Sequence, residues 1–430
     1  MRTNFSLAQL ADNRISEAND IFRSCVHCGF CTATCPTFVL LGDELDSPRG
    51  RIYMLKDMLE KDKAASANIV KHIDRCLTCL SCMTTCPSGV DYMRLVDQGR
   101  ARIEETYTRP LPDRLLRLIL TYVLPNPRIF RLSLYGAKLA RPFKSLMPGR
   151  LKGMIGMAPK SIPKASGVNR PQVFPAQGPR VKRVAILNGC AQQVLRPAID
   201  EATVRLLTRH GCEVVIAEGS GCCGALTHHM GKEDDAKAKA RANVAAWTRE
   251  MDGEGLDAIV INTSGCGTTV KDYGHLLRDD PDWAEAAAKI GAITRDITEF
   301  MAGIPLKLEE TATPKPLVAY HSACSLQHGQ QVRDEPKALL KQAGFEVREA
   351  AESHLCCGSA GTYNLLQPDI AKKLQERKVG NIEALETEIV AAGNLGCMVQ
   401  ISTGTDLPVV HTAELLDWAT GGPEPNPLRR

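Results

Sequence analysis

The sequence contains no run of 18 apolar residues, and its first 20 residues hold no hydrophobic segment of signal-peptide length. The first absence argues against a transmembrane helix, and the second argues against a secretory signal. Aromatic residues make up only 5% of the 430 residues, whereas 44% of the chain is hydrophobic and 24% is charged. Collagen-like and disordered chains do not have this composition. We therefore expect a folded, cytoplasmic protein of two or three domains.

Cysteine, in contrast, is abundant, and eight of the 17 cysteines form two runs of identical spacing. Their odd number and short spacings argue against disulfides and for thiolate ligation of metals in a reducing compartment. In such a run the first three thiolates hold one [4Fe-4S] cubane, and the fourth, which precedes a proline, ligates the cluster of the other run. The spacing therefore predicts two clusters, one held by Cys25, Cys28, Cys31 and Cys86 and the other by Cys76, Cys79, Cys82 and Cys35.

Zinc is the alternative metal, because it also binds four thiolates. Zinc ribbons, however, use two Cys-x2-Cys pairs rather than a run of three cysteines with a distant fourth. Residues 52–59, between the two runs, have helical character. We therefore predict an α-helical two-cluster ferredoxin domain over residues 1–105. Two neighbouring cubanes relay electrons but do not by themselves catalyse a reaction, so we predict no catalytic residue here.

Residues 106–183 differ from the rest of the chain in charge. They contain 16 lysines and arginines, one acidic residue (Asp113) and 11 of the 25 prolines. We interpret them as a basic connector between two acidic parts. A helix that ends before Pro125 and a second apolar stretch over 129–139 are predicted within it. The spacing of the first helix places two sets of residues on opposite faces: Leu116, Ile119, Leu120 and Val123 against Arg114, Arg117 and Thr121.

The C-terminal part contains an internal repeat. Four cysteines of its first half recur 134 or 131 residues later: Cys190, Cys222, Cys223 and Cys266 correspond to Cys324, Cys356, Cys357 and Cys397. We predict two half-domains, over residues 184–310 and 311–430. Each alternates strands and helices, which favours a parallel sheet covered on both faces. The predicted strands are 184–187, 213–217, 258–261, 317–320, 345–348 and 388–391, and helices are predicted over 197–210 and 232–250.

The fold class is therefore α+β multidomain, with an α-helical two-cluster ferredoxin domain followed by two duplicated α/β cysteine-rich half-domains. The repeated pattern Cys-x31-Cys-Cys-Gly-x41-Cys, or x38 in the second copy, resembles the cysteine-rich CCG domains of heterodisulfide reductases. With the double ferredoxin run, the segment Ser47-Pro48-Arg49-Gly50-Arg51 and the element His321-x2-Cys324, the whole chain resembles the iron–sulfur subunits of bacterial glycolate oxidase, also called glycolate dehydrogenase. Electron-transfer subunits of lactate and glycerol-3-phosphate dehydrogenases share these modules and are the alternative.

The resemblance implies an electron-transfer subunit of a flavin-dependent oxidoreductase complex that converts glycolate to glyoxylate. It implies that flavin-binding subunits are the partners in a hetero-oligomer, and that electrons pass towards a quinone or another respiratory acceptor. On this chain the only dinucleotide-like match, Gly219-x-Gly221-x-x-Gly224, includes the cysteine pair and lacks the acidic residue that normally follows. We therefore expect neither flavin nor NAD on this chain, and no catalysis by the chain alone.

The half-domains depart from the heterodisulfide reductase pattern at one position each. Thr263 and Asn394 stand where that pattern has a fifth cysteine. Four cysteines suffice for one cluster, but the change argues against a heterodisulfide-reductase-like thiol chemistry. Two candidate metal sites therefore remain, with further Fe-S clusters, zinc or free thiols as open alternatives: Cys190, Cys222, Cys223 and Cys266, and Cys324, Cys356, Cys357 and Cys397. Nearby histidines are candidate ligands, donors to sulfur or plain polar contacts: His228, His229, His321, His328 and His354.

The basic connector is the remaining candidate for a functional surface. A basic amphipathic helix can dock on a partner subunit, lie on an anionic membrane surface or pack within its own chain. These three interpretations stay open, and the second would place the protein at the inner face of the cell membrane. No recognition motif accompanies the charge, so we do not expect a nucleic acid partner.

Overall fold

The computed structural model describes residues 1–147, 149–159, 161–309 and 314–429. The N-terminal region is built from helices, as predicted: Leu7–Leu10, Asn13–Ser24, Phe30–Thr34, Pro36–Leu41, Pro48–Glu60, Ala67–Asp74, Ser81–Thr85 and Tyr92–Thr106, with a 3-10 turn at Glu44–Asp46. They enclose an apolar core that includes Phe22, Leu55 and Leu95. The helix predicted over 52–59 lies within Pro48–Glu60.

The connector forms three helices, which we call the connector helices: Leu111–Val123, Pro127–Ala140 and Gly149–Met157. Shorter 3-10 segments follow the second of them and precede the first strand, at Arg141–Leu146 and Gly167–Asn169. The first connector helix ends before Pro125, as predicted. Proline lacks the N–H that would continue the helix and restricts the residue before it.

The inner face of the first connector helix is only partly as predicted. Leu120 is buried, but so is Arg117, which was expected on the opposite face. Arg117 is retained inside because its guanidinium bonds Asp74 at 2.9 Å and Asp113 at 3.1 Å. A buried charge of this kind needs such partners.

The outer face of the connector carries large exposed apolar side chains. Leu118 is 58% exposed, Tyr122 65%, Leu132 70% and Leu139 78%. No helix among the described residues is long and apolar enough to cross a membrane. The connector helices are therefore apolar on both faces, which the helical wheel did not predict.

The first half-domain contains a five-stranded sheet. Its strands are β1 (Gln172–Phe174), β2 (Lys182–Ile186), β3 (Cys212–Ile216), β4 (Ala258–Ile261) and β5 (Thr294–Asp296). They lie in the order β1-β3-β2-β4-β5, and all pairs except β1 with β3 are parallel. Helices cover the sheet: Gln192–Leu195, Pro197–Arg209, Ala225–His229, Glu233–Asp252, Ser264–Lys271, Tyr273–Leu276, Ala284–Ile293 and Ile297–Met301.

The second half-domain repeats this arrangement with four parallel strands. They are β6 (Val318–His321), β7 (Val347–Glu349), β8 (Ile389–Ala392) and β9 (Val409–His411), in the order β7-β6-β8-β9. Its helices are Glu335–Gln342, Tyr363–Leu366, Pro368–Glu383, Leu395–Ser402 and Thr412–Ala419, with a π-helical turn at Ser325–Gln330 and a 3-10 turn at Asn426–Leu428. The alternating α/β prediction is confirmed in both halves.

The two half-domains share one apolar core. On β2, Val184 and Ile186 point into a cluster that also contains Tyr320 of β6 and Leu415 from the last long helix, whereas Ala185 points into a separate cluster on the other face. Helices Pro197–Arg209 and Thr412–Ala419 meet between the sheets. There Asp417 accepts hydrogen bonds from Arg205 and Arg209, each at 2.9 Å.

Three short strands, β1, β5 and β9, were not predicted. Each has only three residues and lies at the edge of its sheet. β5 and β9 occupy equivalent positions, and both lead directly into a capped helix, where Asp296 and His411 accept the N–H of the second residue beyond. In these three short runs no alternation stands out from the flanking loops.

Candidate metal centres

The two ferredoxin cysteine runs follow the same backbone path. Within the runs, His27 and Thr78 have φ values of 55° and 50°, and Gly29 and Leu80 have values of 89° and 61°. Left-handed conformations at residues other than glycine are strained and collect at functional sites. Here they curl each loop so that the short helix that follows brings the third cysteine of the run back towards the first two.

Each run contributes to two cavities. One is bordered by three cysteines of the first run and the last of the second, and the other by three cysteines of the second run and the last of the first: Cys25, Cys28, Cys31 and Cys86, then Cys76, Cys79, Cys82 and Cys35. Cys82 borders both cavities, so they are neighbours. The structure thus brings together the two groups of four that the spacing defines, and their role as ligands stays a prediction.

Deprotonation of cysteine thiols in these cavities is unfavourable, as two raised pKa values show. Burial and the neighbouring thiols of Cys25, Cys35 and Cys86 raise the pKa of Cys31 to about 11. Burial, followed by the nearby Cys324 and Cys35, raises the pKa of Cys79 well above its usual range. Metal ions offset this cost, because a thiolate ligand is stabilised by the positive charge it binds. The donor set and its burial therefore suit iron–sulfur clusters.

A buried arginine stands beside the second cavity. Arg51, 1% exposed, donates to the carbonyl of His72 at 2.8 Å and to Thr37 Oγ1 at 3.0 Å, and its Nη1 lies 3.8 Å from Cys35 Sγ. Its helix starts with a Ser47 cap and cannot accept a side chain at Gly50, where a Cβ would lie 2.1 Å from the Glu44 carbonyl oxygen. The Ser-Pro-Arg-Gly-Arg segment therefore places a positive charge against the sulfur.

The four cysteines of the first half-domain collect at the carboxyl edge of its sheet. Cys190 follows β2, the pair Cys222-Cys223 follows β3, and Cys266 lies on the helix after β4. This edge is where open α/β sheets place their sites. Hydrogen bonds from the thiols of Cys190 and Cys223 lower the pKa of Cys222, and the Gly224 N–H lies 3.5 Å from its sulfur.

The second half-domain places its cysteines at the equivalent edge. The Sγ atoms of Cys324 and Cys356 are 3.7 Å apart, and Asn394 Nδ2 donates to Cys397 Sγ at 3.4 Å. Asn394 thus faces the site at the position of the missing fifth cysteine and offers a donor instead of a ligand. In the first half, Thr263 donates its hydroxyl to Gln192 Oε1.

Of the five candidate histidines, the structure places His321 close to cysteine thiols. Ligand atoms of His321, Cys357 and Cys397 all lie within 4.8 Å of one another, and all three residues are buried. His321 Nε2 has no hydrogen-bond partner among the described residues. The sequence singled out His321 together with four other histidines and could not separate it from them, because its closeness to Cys397 depends on how β6 and β8 pair.

Three of the other candidate histidines contact protein groups, whereas the buried Nδ1 of His229 has no hydrogen-bond partner among the described residues. His228 Nε2 lies 3.2 Å from Asp97, and His328 bonds Thr84 at 2.8 Å and the His354 carbonyl at 3.1 Å. His328 therefore joins the second half-domain to the ferredoxin region. Cys212 lies fully buried in β3, away from the two thiol groups, as expected of a core residue.

The second half-domain is the one that adjoins the ferredoxin cysteines. Cys79 and Cys356 belong to one buried apolar cluster, which also includes Leu77 and Tyr363, with Cys324 packed against it. A separate, large cavity of about 570 Å³ lies between the connector helices and both half-domains. It is bordered by cysteines of both halves, including Cys190, Cys222, Cys324 and Cys397.

Comparison with known proteins agrees with this organisation. Residues 21–90 match the 4Fe-4S dicluster domain, and residues 184–271 and 318–402 each match the cysteine-rich domain. The solved structure of a hypothetical protein from Helicobacter pylori superposes with a TM-score of 0.52 at 9% identity, covering 96% of this chain and 73% of that one. At this identity the likeness concerns the fold alone.

Two relatives extend over nearly the whole chain. It is 40% identical over 419 residues to the glycolate oxidase iron-sulfur subunit of Escherichia coli (strain K12), which covers 97% of this chain and 99% of the relative. It is 32% identical over 421 residues to the probable glycolate oxidase iron-sulfur subunit of Bacillus subtilis (strain 168), covering 93% and 94%. The chain therefore belongs to the family of glycolate oxidase iron–sulfur subunits, components of an oxidoreductase complex.

Proposed function

We propose that this chain carries electrons from a flavin-containing partner, which oxidises glycolate to glyoxylate, towards a quinone or another respiratory acceptor. The observation that carries the proposal is that the cysteine clusters lie next to one another, from the ferredoxin region to the second half-domain. Cys82 borders both ferredoxin cavities, and Cys79 shares a buried cluster with Cys356 of the second half-domain. The relation to subunits named for glycolate oxidase over almost the full length supports the choice of substrate.

We assign the eight ferredoxin cysteines to two [4Fe-4S] clusters, in the two groups of four that border the cavities. When bound, such clusters accept and donate one electron at a time. A flavin that has been reduced by two electrons can therefore be reoxidised by them in two single-electron steps. The chain's own residues hold the sulfur in place. Thr37 Oγ1 lies 3.3 Å from Cys35 Sγ, and the Tyr92 hydroxyl lies 3.6 Å from Cys76 Sγ. Arg51 supplies a fixed positive charge to the same cavity.

The half-domain cysteines are proposed as further metal sites, and their two groups are not equivalent. The second group has His321 within reach of Cys357 and Cys397, so that site offers a nitrogen ligand in addition to four thiols. Zinc and iron–sulfur clusters both accept such mixed donor sets.

The test is metal and activity analysis of the full-length protein purified without oxygen. Two cubanes require about eight irons with matching acid-labile sulfide, and any iron or zinc beyond that belongs to the half-domains. The isolated chain should not oxidise glycolate, and it should become reduced by glycolate only when the flavoprotein subunits are present. A protein that contains zinc but no iron, or that oxidises glycolate alone, would contradict the proposal.

A further inference from the structure

The cavity between the connector helices and the half-domains has the size and lining of a ligand site. Its volume of about 570 Å³, which includes the space beside the candidate metal-site cysteines, falls in the range of pockets that bind small molecules. Connector side chains form one wall, including the buried Leu120, Phe130 and Leu134, and the cysteine-bearing loops of both half-domains form the other. An apolar ligand in this cavity would therefore contact cysteine side chains of both half-domains.

The lining also restricts the charge of the ligand. None of the described residues that border the cavity is a lysine, arginine, aspartate or glutamate. A carboxylate such as glycolate would lose its hydration here without gaining a charged partner, which is costly. The polar atoms that are present come from neutral groups such as Asn262 and His229. The buried Nδ1 of His229 has no hydrogen-bond partner among the described residues.

The cavity reaches the surface through the apolar outer face of the connector. Ile119 and Leu151 both border the cavity, yet they are 43% and 42% exposed. Around this opening the connector exposes further large apolar side chains, among them Leu118 and Tyr122. A ligand with an uncharged ring and a long apolar tail fits both the closed interior and this opening.

We propose that the cavity binds the ring of a lipid-soluble quinone, with its tail leaving between Ile119 and Leu151. This inference rests on the proposed function, which supplies the reductant. Oxidation of one glycolate at the flavoprotein releases two electrons and two protons. The quinone gains two electrons through the chain and two protons from water, so that both ring carbonyls become hydroxyls. His229 is placed to bond one ring oxygen.

The experiment measures binding rather than turnover. Full-length protein, purified without oxygen and kept oxidised, is titrated by calorimetry with a short-tailed benzoquinone, and its photoreactive azido derivative is crosslinked and mapped by mass spectrometry. The test variant is Gly136→Phe, since Gly136 borders the cavity and a Cβ there meets no atom within 4 Å. The matched control is Gly153→Phe, on another connector helix, where a Cβ is equally unobstructed but the residue does not border the cavity.

We expect Gly136→Phe to weaken quinone binding by at least about tenfold, because the ring would compete for the ligand's volume. Gly153→Phe should bind as the unaltered protein does, and crosslinks should fall on Pro127–Ala140 and Gly149–Met157. Ala137→Trp is the second cavity-filling variant if Gly136→Phe does not fold. Iron content should be unchanged in every variant.

Absence of quinone binding, or equal binding by Gly136→Phe with crosslinks elsewhere, overturns the inference. Loss of flavoprotein association in Gly136→Phe, without quinone binding by the unaltered chain, would instead assign the cavity to a protein segment and also overturns it. The proposed function stands apart from these results. A chain that holds about eight irons and accepts electrons from the flavoprotein but binds no quinone keeps that function and loses only this site.

Discussion

The two cysteine-rich half-domains are copies of one pattern, but they contact the ferredoxin region in different ways. The first half does so largely through ion pairs, Glu17 with Arg278 at 2.9 Å and Arg94 with Asp272 at 2.6 Å, and through a hydrogen bond between Glu17 and His275 at 2.8 Å. The second half presents apolar side chains, with Ile370 and Leu374 in one cluster with Leu77 and Cys79. Duplication therefore preserved the sheet and its cysteines and left the outer contacts free to diverge.

The four-cysteine clusters of the two half-domains also differ from each other, in burial and in the ligands they offer. In the second half, Cys356, Cys357 and Cys397 are each about 2% exposed or less, and His321 stands beside them. The equivalent position in the first half is Leu187, which cannot ligate a metal. The second half therefore has both the closer contact with the ferredoxin cysteines and the richer donor set.

The largest effect is expected from a substitution that removes the ferredoxin cluster next to the second half-domain. Cys79→Ser should remove about four irons and, under the proposed function, stop the passage of electrons from the flavoprotein to the second half-domain, because Cys79 adjoins both its own cavity and Cys356. Iron analysis and visible absorbance measure the loss. Cys212→Ala, at a core thiol outside the sites, is the control and should retain all of its iron.

The second prediction compares how much each half-domain is destabilised when the glycine of its Cys-Cys-Gly motif is replaced. Gly224 and Gly358 have φ values of 87° and 90°, and an added Cβ would lie 3.0 Å from the Ala236 carbonyl oxygen in the first half but 2.5 Å from that of Ala371 in the second. Both alanine variants should be destabilised by about 1–3 kcal/mol, with Gly358→Ala the more affected. Thermal unfolding tests this. Equal losses would show that the tighter approach in the second half relaxes freely.

The charged contact of the first half predicts sensitivity to salt. At 1 M salt the screening length falls to about 3 Å, so the ion pairs of Arg94 and Glu17 should weaken while the apolar contact of the second half persists. Hydrogen exchange should accelerate at Tyr273–Leu276 by severalfold more than at Tyr363–Leu366. Arg94→Met should show the faster exchange already at low salt. Equal acceleration in both helices would remove this distinction.

The smallest predicted effect concerns pH and the His228–Asp97 pair of the same contact. Burial alone would lower the pKa of His228, but the Asp97 carboxylate outweighs it and raises that pKa, while His228 overcomes burial to lower the pKa of Asp97 to about 2. The stabilisation from His228 is full below pH 6.5 and is lost as the pH rises through its raised pKa. The contribution of Asp97 is lost only as the pH falls from about 4 towards 2.

The unaltered protein should therefore lose about 1 kcal/mol or less of stability on going from pH 6 to alkaline pH, relative to His228→Gln. Thermal unfolding of both proteins across this pH range measures the difference. His229 does not add to it, because burial and then Arg100 lower its pKa to about 3, so that it stays neutral throughout. A pH profile unaffected by His228→Gln would show that the pair contributes nothing measurable.

The sequence predicted those parts of the fold that have a local signature. The strands with runs of β-branched residues, such as β4, were predicted within one or two residues, whereas β5 and β9 are too short for periodicity to reveal. A signal for β5 did exist, since Asp296 and Glu299 form a capping box at the start of the next helix. That signature locates the helix and, by implication, the strand that ends at its cap.

For the sites, spacing grouped the cysteines but could not predict their surroundings. The contact of Arg51 with Cys35 depends on how a helix packs across the cavity, and the burial of Arg117 depends on Asp74 from another helix. The large cavity depends on three separate regions at once. Such features arise from long-range packing, for which a single sequence carries no periodic signal.

The core shared by the two half-domains has a consequence for how the protein is made. The helix Thr412–Ala419, near the end of the chain, packs against Pro197–Arg209 of the first half. During synthesis the N-terminal part emerges first, so part of the apolar surface of the first sheet stays uncovered until Thr412–Ala419 has left the ribosome. We expect a chain truncated before Thr412 to be held by chaperones and degraded, and the candidate metal sites of both halves to form only after Thr412–Ala419 has been synthesised.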